Sequence, residues 1–356
     1  MNITEWRMIR VLIVDDSVVV RELLTHILNA DPEIEVIGAV TNGQEAVDFV
    51  EKDRPDVITM DLDMPKMGGF EATRKIMETK PVPIVILTAS WDPHDVNRTW
   101  KAMEAGAVHA LEKPVFFGDT KNSEEVKNLI QTIKLMSEVK VVRRWPNKKG
   151  HIEPKPDKEI KISPLEIDVV AIGASTGGPP VIKTILGALP ESFPVPILLV
   201  QHIAPNFSKS FVEWLDQTSA LKVKLAVDGD RMASGFVYVA PDQCQMKVER
   251  YGRISLTKDG PENGLRPSVS YLFRSVAHAY GSRSLGILLT GMGKDGAEEL
   301  RLLKTLGAIT VAQDKESSIV HGMPGEAIKL GGATHIMPPE RIVEMLSVLG
   351  RGRLRT

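Results

Sequence analysis

A chain of 356 residues is long enough for two cores of ordinary size, and 43% hydrophobic with 25% charged residues is a globular rather than a disordered composition. A formal net charge of -2 supplies no broad basic field for a nucleic-acid partner. No apolar run is long enough to cross a bilayer, residues 1–10 hold no signal-peptide core, and the one cysteine, Cys244, permits no intrachain disulfide, so the expectation is a cytoplasmic protein without an integral membrane segment.

Short apolar runs alternate with helical patterns through the first part of the chain. The patterns predict strands over 8–14, 34–39, 57–60, 84–88 and 108–111, and helices over 18–28, 43–52, 69–79, 96–105 and 123–137. Pro32, Pro55, Pro65, Pro81 and Pro83 all fall between these elements. Strands that are apolar throughout and are followed by helices imply a doubly wound five-stranded parallel α/β sheet, buried on both faces. From Val142 to Pro164 the pattern stops. Arg143, Arg144, Lys148, Lys149, Lys155, Lys158 and Lys161 are interspersed with Pro146, Pro154, Pro156 and Pro164, which reads as a solvated linker. The organisation is therefore a first domain at 7–138, a linker at 139–164 and a second domain at 165–350.

Alternation resumes at Ile167, with strands predicted over 167–172, 195–201, 222–226, 235–239 and 285–289. A hairpin is predicted from 245–249 and 254–258 around Arg250, Tyr251, Gly252 and Arg253, and helices over 181–189, 207–217, 268–280, 296–306 and 339–349. This second half is again doubly wound α/β, with a small hairpin added. This second half holds no helix-turn-helix with a basic recognition helix, so no nucleic acid is expected as a partner.

Asp15 and Asp16 close the first predicted strand and Asp61 closes the third. In a parallel sheet both positions lie on the carboxyl edge, where open α/β folds place their sites. Three converging carboxylates repel one another unless a cation is present, and a hard oxygen-seeking ion such as Mg²⁺ answers that need. Thr88 ends the fourth strand and Lys113 follows the fifth, adding a hydroxyl donor and an amine that suit a transferred phosphoryl group. Asp61 is then the natural nucleophile for an aspartyl-phosphate, although strand-end acids also serve as ordinary turn residues.

Asp15, Asp16, the run Asp61-Leu62-Asp63-Met64-Pro65, Thr88 and Lys113-Pro114 resemble the receiver domain of two-component response regulators. The resemblance implies phosphoryl transfer from a histidine kinase, dependence on Mg²⁺, a switch through Thr88 and a cis peptide bond between Lys113 and Pro114. Two features depart from it. His109 lies near the position where such receivers often carry Tyr or Phe, and Ala89-Ser90-Trp91 follows the fourth strand.

The strand at 167–172 runs into Gly173-Ala174-Ser175-Thr176-Gly177-Gly178-Pro179, a Gly-x-Ser-x-Gly elbow that would expose Ser175 at the carboxyl edge. The same turn also suits an anion cradle or a structural turn, though it lacks the Lys-Ser/Thr ending of a P-loop. His202 follows the strand at 195–201 and is the best placed base; His278, His321 and His335 are weaker rivals because none ends a strand. Asp295 follows the strand at 285–289 and is the best orienting acid, ahead of Asp228, Asp230 and Asp314. It could instead cap the helix starting at Gly296. Glycines around Met292 could turn backbone N–H groups toward an oxyanion. The chain order Ser, His, Asp differs from the Ser, acid, His order of α/β-hydrolases.

Gly-Ala-Ser-Thr-Gly-Gly at 173–178, Gln201-His202, Arg266-Pro267-Ser268, Thr290-Gly291-Met292-Gly293-Lys294-Asp295-Gly296 and His321-Gly322-Met323-Pro324 resemble the catalytic domain of chemotaxis protein-glutamate methylesterases. The resemblance implies that Ser175 is the nucleophile, His202 the base and Asp295 the acid, with Thr176 and Met292 shaping the oxyanion region. It implies γ-glutamyl methyl esters on methylated chemoreceptor cytoplasmic domains as substrates, methanol as product, deamidation of certain receptor glutamines, no cofactor for ester hydrolysis, and recruitment to receptor clusters at the inner membrane. Ser270 stands where the family usually carries Asp, two residues after the Arg-Pro-Ser serine. The competing readings are a serine esterase for another small ester and a non-catalytic signalling adaptor.

Overall fold

Two parallel sheets organise the chain in a computed structural model that describes residues 7–88, 93–114, 124–139, 141, 167–203 and 207–352. The sheets belong to separate units, Met1–His151 and Ile152–Thr356. Nearly all of the predicted linker lies outside the described residues, as do Ala89, Ser90 and Trp91.

In the first unit β1 (Ile9–Val14), β2 (Ile34–Val40), β3 (Val57–Asp61), β4 (Ile84–Thr88) and β5 (His109–Glu112) form a sheet in the order β2-β1-β3-β4-β5, every pair parallel. Its helices are α1 (Val18–Asn29), α2 (Gly43–Lys52), α3 (Gly69–Thr79), α4 (Pro93–Ala105) and α5 (Glu124–Ser137). Every residue of β3 and β4 is buried, which is why these strands read as unbroken apolar runs. Local chemistry sets the helix starts. Ser17 caps α1 by accepting from Val20 N, and Asn42 caps α2 by accepting from Glu45 N while Glu45 returns to Thr41 N. The strand order changes direction beside β1, which opens the crevice at the carboxyl ends of β1 and β3.

The second unit holds β6 (Val169–Ala174), α6 (Gly178–Gly187), β7 (Ile197–Gln201), α7 (Ser208–Asp216), β8 (Lys222–Leu225), β9 (Phe236–Val239), β10 (Gln245–Val248), β11 (Ile254–Thr257), α8 (Val269–Tyr280), β12 (Ser284–Leu288), α9 (Ala297–Thr305), β13 (Ile309–Gln313), α10 (Met323–Lys329), β14 (His335–Met337) and α11 (Pro339–Gly352). Seven strands form a parallel sheet in the order β14-β13-β12-β6-β7-β9-β8, and β10 and β11 form the antiparallel hairpin. β13, α10 and β14 extend the sheet past the last strand expected from the sequence. Among the described residues of both units, no helix is long and apolar enough to cross a membrane.

β12, β6 and β7 are adjacent, so three chain segments distant in sequence end side by side on one edge. The start of α8 packs directly over that edge. A Cβ on Gly173 would stand 2.3 Å from Val269 Cγ1, and one on Gly296 would stand 2.4 Å from the same atom. Gly296 also takes φ 83, a conformation that glycine adopts without strain. Both bare backbones let α8 descend onto the site. Gly173→Ala is therefore expected to destabilise this unit by about 1–3 kcal/mol through overpacking. Val269→Ala in the same chain should recover part of that loss. Urea denaturation compares the three proteins, and an unchanged midpoint for Gly173→Ala would mean that α8 gives way freely.

Candidate active site and acid pocket

The first unit gathers Asp15, Asp16 and Asp61, whose carboxylate oxygens lie within 4.8 Å of one another. Asp15 is buried; its Oδ1 accepts from Ser17 N, and its Oδ2 lies 2.7 Å from Lys113 Nζ. Asp61 Oδ1 lies 3.0 Å from the same ammonium and accepts from Leu62 N at 2.9 Å. Arg21 fixes the turn by donating to the backbone carbonyls of Asp15 and Asp16 at 2.7 and 2.9 Å. A Cβ on Gly69 would fall 1.9 Å from the Asp61 carbonyl, so only a bare backbone allows α3 to start this close. Thr88, buried at the end of β4, accepts from Lys113 N through its carbonyl at 2.8 Å. Asp15, Asp16, Asp61, Thr88 and Lys113 lie together at this edge, and Arg21 joins them without having been singled out from the sequence, because a helical arginine carries no motif signal.

One ammonium against three carboxylates leaves an excess of negative charge, and the set could hold a small divalent ion through oxygen ligands. Burial drives the Asp61 carboxyl upward, Lys113 opposes it and Asp15 adds to it, leaving Asp61 at about 6. Burial works against the Lys113 ammonium, but its pairing with Asp15 and Asp61 holds it above the ordinary lysine value. Burial lowers His109 to about 4, so it is a neutral imidazole near pH 7. The cis peptide bond among the described residues is Arg266–Pro267, whereas Lys113–Pro114 is not cis. With Lys113 N bound to Thr88 and its ammonium already in the pocket, the trans form, favoured intrinsically by about 0.5–1 kcal/mol, satisfies both contacts.

In the second unit Ser175 follows β6 in a tight turn. Its N–H donates to Thr290 O at 3.0 Å, and its carbonyl accepts from Gly178 N at 2.8 Å. Gly177 takes the left-handed conformation the elbow requires, with φ 76, and Pro179 sits in the first turn of α6. The Ser175 hydroxyl forms no hydrogen bond among the described residues; contacts between nucleophile and base commonly tighten only when substrate binds.

His202 follows β7, held by its N–H to Ala174 O at 2.9 Å. Ala174 and Gln201 are register partners, so the residues that follow them emerge side by side. His202 Nε2 lies 2.9 Å from Asp295 Oδ2. An ionised carboxylate only accepts, so this nitrogen carries the hydrogen and Nδ1 keeps a lone pair for a second proton.

Asp295 does not cap its own helix. Gly296 occupies the N-cap of α9 without a side-chain bond, and Asp295 instead turns to the start of α8, which stands directly above it. Oδ2 accepts from Val269 N at 2.7 Å; Oδ1 accepts from Ser268 Oγ at 2.8 Å, Ser270 N at 3.2 Å and Asn263 Nδ2 at 3.3 Å. Burial alone would raise this carboxyl, but the bond and charge of His202, with Ser270 and Ser268, outweigh it and hold Asp295 well below the carboxylate range. Thr176 is buried, and its carbonyl accepts from Thr290 Oγ1 at 3.0 Å, while Met292 lies exposed on the loop after β12. The backbone N–H groups of Thr176 and Met292 donate to no acceptor among the described residues.

None of the rival residues bonds to Asp295 or to the Ser175 hydroxyl among the described residues, although His321 bridges Gly291 beside Ser175. His278 is exposed in the last turn of α8, His335 begins β14, and His321 reaches Ser318 Oγ at 3.3 Å. Asp228 accepts from Leu256 N, Asp230 pairs with Lys224, and Asp314 accepts from Ser317.

Residues 170–346 match the CheB methylesterase family and residues 11–123 match the response regulator receiver domain. The protein-glutamate methylesterase/protein-glutamine glutaminase of Nitrosospira multiformis is 53% identical over 347 residues, covering 96% of this chain and 97% of that one. The chain belongs to the CheB methylesterase family. The protein-glutamate methylesterase/protein-glutamine glutaminase 4 of Geobacter metallireducens is also 53% identical, over 96% of this chain and 99% of the relative. The crystal structure of the Thermotoga maritima CheB methylesterase catalytic domain is 39% identical, with a TM-score of 0.50, over 52% of this chain and all of that one.

Within this methylesterase framework Ser270 finds a physical account. Its side chain is buried and its Oγ accepts from Gly296 N at 2.8 Å, so the hydroxyl supplies an acceptor at the N-cap of α9 where the resemblance implies a carboxylate. The charge state of the acid pocket is directly measurable. Carbon-13 detection of the Asp61 carboxyl in the cation-free protein is expected to give a midpoint near 6. Lys113→Ala should move it higher, because the favourable charge is gone. A midpoint in the ordinary aspartate range would mean that burial is not felt.

Proposed function

We propose that the chain hydrolyses glutamate γ-methyl esters on the cytoplasmic domains of chemoreceptors, and deamidates specific glutamines there, using Ser175, His202 and Asp295 under control of phosphorylation at Asp61. The observation that carries this reading is the 2.9 Å contact between His202 Nε2 and Asp295 Oδ2 on the edge where the Ser175 elbow emerges. The names of the relatives, protein-glutamate methylesterase/protein-glutamine glutaminase, supply the substrate class.

Ser175 Oγ attacks the ester carbonyl carbon, and its proton passes to His202 Nδ1. The resulting imidazolium is stabilised by Asp295, which remains ionised because the start of α8 and His202 hold its charge. The N–H groups of Thr176 and Met292 receive the negative oxygen of the tetrahedral intermediate. Collapse breaks the ester C–O bond, His202 returns the proton, and methanol leaves a glutamyl-serine ester. Water then attacks that ester, with His202 again taking and returning a proton, and a free glutamate carboxylate departs. With glutamine the leaving group is ammonia.

In the receiver, Asp61 would accept the phosphoryl group of a histidine kinase. Asp15, Asp16 and Asp61 would hold Mg²⁺, whose charge offsets that of the incoming phosphate when bound. Lys113 and Thr88 would take its oxygens. The proposed setting is cytoplasmic, at receptor clusters on the inner membrane.

Methanol release from methylated receptor fragments tests the chemistry. Ser175→Ala should release none while staying folded, and Asp295→Asn should fall by roughly 10³–10⁴-fold, the direction seen for the aspartate of serine proteases. Normal turnover by Ser175→Ala would remove the nucleophile assignment. Regulation is tested on the same substrate. A phosphodonor with Mg²⁺ should accelerate the full chain, Asp61→Asn should stay at the basal rate, and a fragment beginning near Pro164 should be fast without phosphodonor. A fragment no faster than the unphosphorylated chain, together with indifference to phosphodonor, would leave the receiver no inhibitory role.

A further inference from the structure

Gln201 ends β7 and is buried. Its side chain turns sideways, across the end of β6. Nε2 donates to the carbonyl of Ser175 at 2.9 Å and to the carbonyl of His202 at 2.8 Å. Carbonyl oxygens only accept, so two of them at this distance identify the nitrogen end of the amide. The oxygen end pays for that orientation: among the described residues Oε1 is buried without a hydrogen-bond partner. It lies against Gly178, where a Cβ would fall 2.3 Å from it. Leaving a buried acceptor unmet costs about 1–3 kcal/mol, and flipping the amide would place Oε1 against two carbonyls instead. The amide is thus committed to the two peptide groups that carry the proposed nucleophile and base.

We infer that Gln201 is a positioning residue of the esterase: one side-chain nitrogen ties the Ser175 and His202 backbones together and sets the approach of hydroxyl to imidazole. The inference rests on the proposed roles of Ser175 and His202. Strand pairing alone carries the register only as far as Ala174 and Gln201. Beyond that point both chains leave the sheet, and the Gln201 amide is a direct side-chain link that spans the two. His202 N to Ala174 O holds the base from the strand side, so the two links together fix its entry angle. Gly178 then has a reason to lack a side chain beyond helix geometry, because the amide occupies that space.

The test uses the full-length protein, activated by phosphodonor and Mg²⁺, on methylated receptor fragments. Gln201→Met keeps length and volume but removes both donors, and Gln201→Glu keeps shape while turning acceptors toward two carbonyls. Each should lose roughly 10²-fold in kcat per folded molecule with KM changed by less than about threefold, as expected when reacting groups are displaced but substrate contacts persist. Phosphonylation of Ser175 by a fluorophosphonate, which needs no receptor, should slow by a comparable factor. Thr310→Val, a buried hydroxyl lost far from the elbow in β13, serves as the stability control and should change neither rate. Wild-type kcat and phosphonylation rate per folded molecule in Gln201→Met would overturn the inference. Should both variants fail to fold, the native protein still decides: the Gln201 side-chain amide hydrogens should resist solvent exchange, and exchange as fast as that of an exposed glutamine would overturn it. Ser175→Ala runs alongside. Turnover by that variant would sink the functional reading itself, whereas a silent Ser175→Ala beside a fully active Gln201→Met sinks only the role of Gln201.

Discussion

A carboxylate that is 2% exposed survives only if donors meet it from every side, and the second unit is arranged around that demand at Asp295. Five groups answer it: the His202 ring, the Ser268 hydroxyl, the N–H groups of Val269 and Ser270, and the Asn263 amide. Three of these belong to the first turn of α8 or its cap, so the helix must stand over the sheet edge. It can do so because Gly173 and Gly296 present bare backbone to Val269. Packing, glycine placement and the orientation of the imidazole are consequences of one buried charge.

The acid pocket solves the opposite problem. Asp15 and Asp61 share a single ammonium, and Asp61 is left at about 6 rather than stabilised as Asp295 is. A fully satisfied carboxylate is a fixed part; an undersatisfied one still gains from a cation or a new covalent neighbour. That contrast separates two acids at the edges of similar α/β sheets: the contacts of Asp295 are filled, while Asp61 keeps room for a cation or a covalent neighbour.

Strand ends were the most legible feature of the sequence. Asp15, Asp61, Ser175, His202 and Asp295 each follow an apolar run closed by a polar residue, and a parallel sheet places all such positions on one edge. Less legible were elements whose residues resemble turns. α10 contains Pro324 and Gly325 within a short span, and β14 is only three residues long, so neither shows a period. β13 follows Gly307 closely and reads as the end of a loop. The partner of Asp295 was legible as a choice among histidines. Its attachment to α8 was not, because two of its three contacts there join residues 25 and 26 positions apart through backbone N–H groups that any residue supplies.

His202 and Asp295 are 93 positions apart, yet each is delivered by a strand that borders β6 directly. The intervening chain forms α7, β8, β9, the β10–β11 hairpin and α8, and most of that path lies away from the three strand ends. The geometry of the reacting groups is thus insulated from the length of the excursion between them. Loops on this excursion outside the 263–270 stretch that holds Asp295 are free to lengthen or shorten without moving the three strand ends. A frame of three strand ends can in this way keep its geometry while the surface carried between them changes.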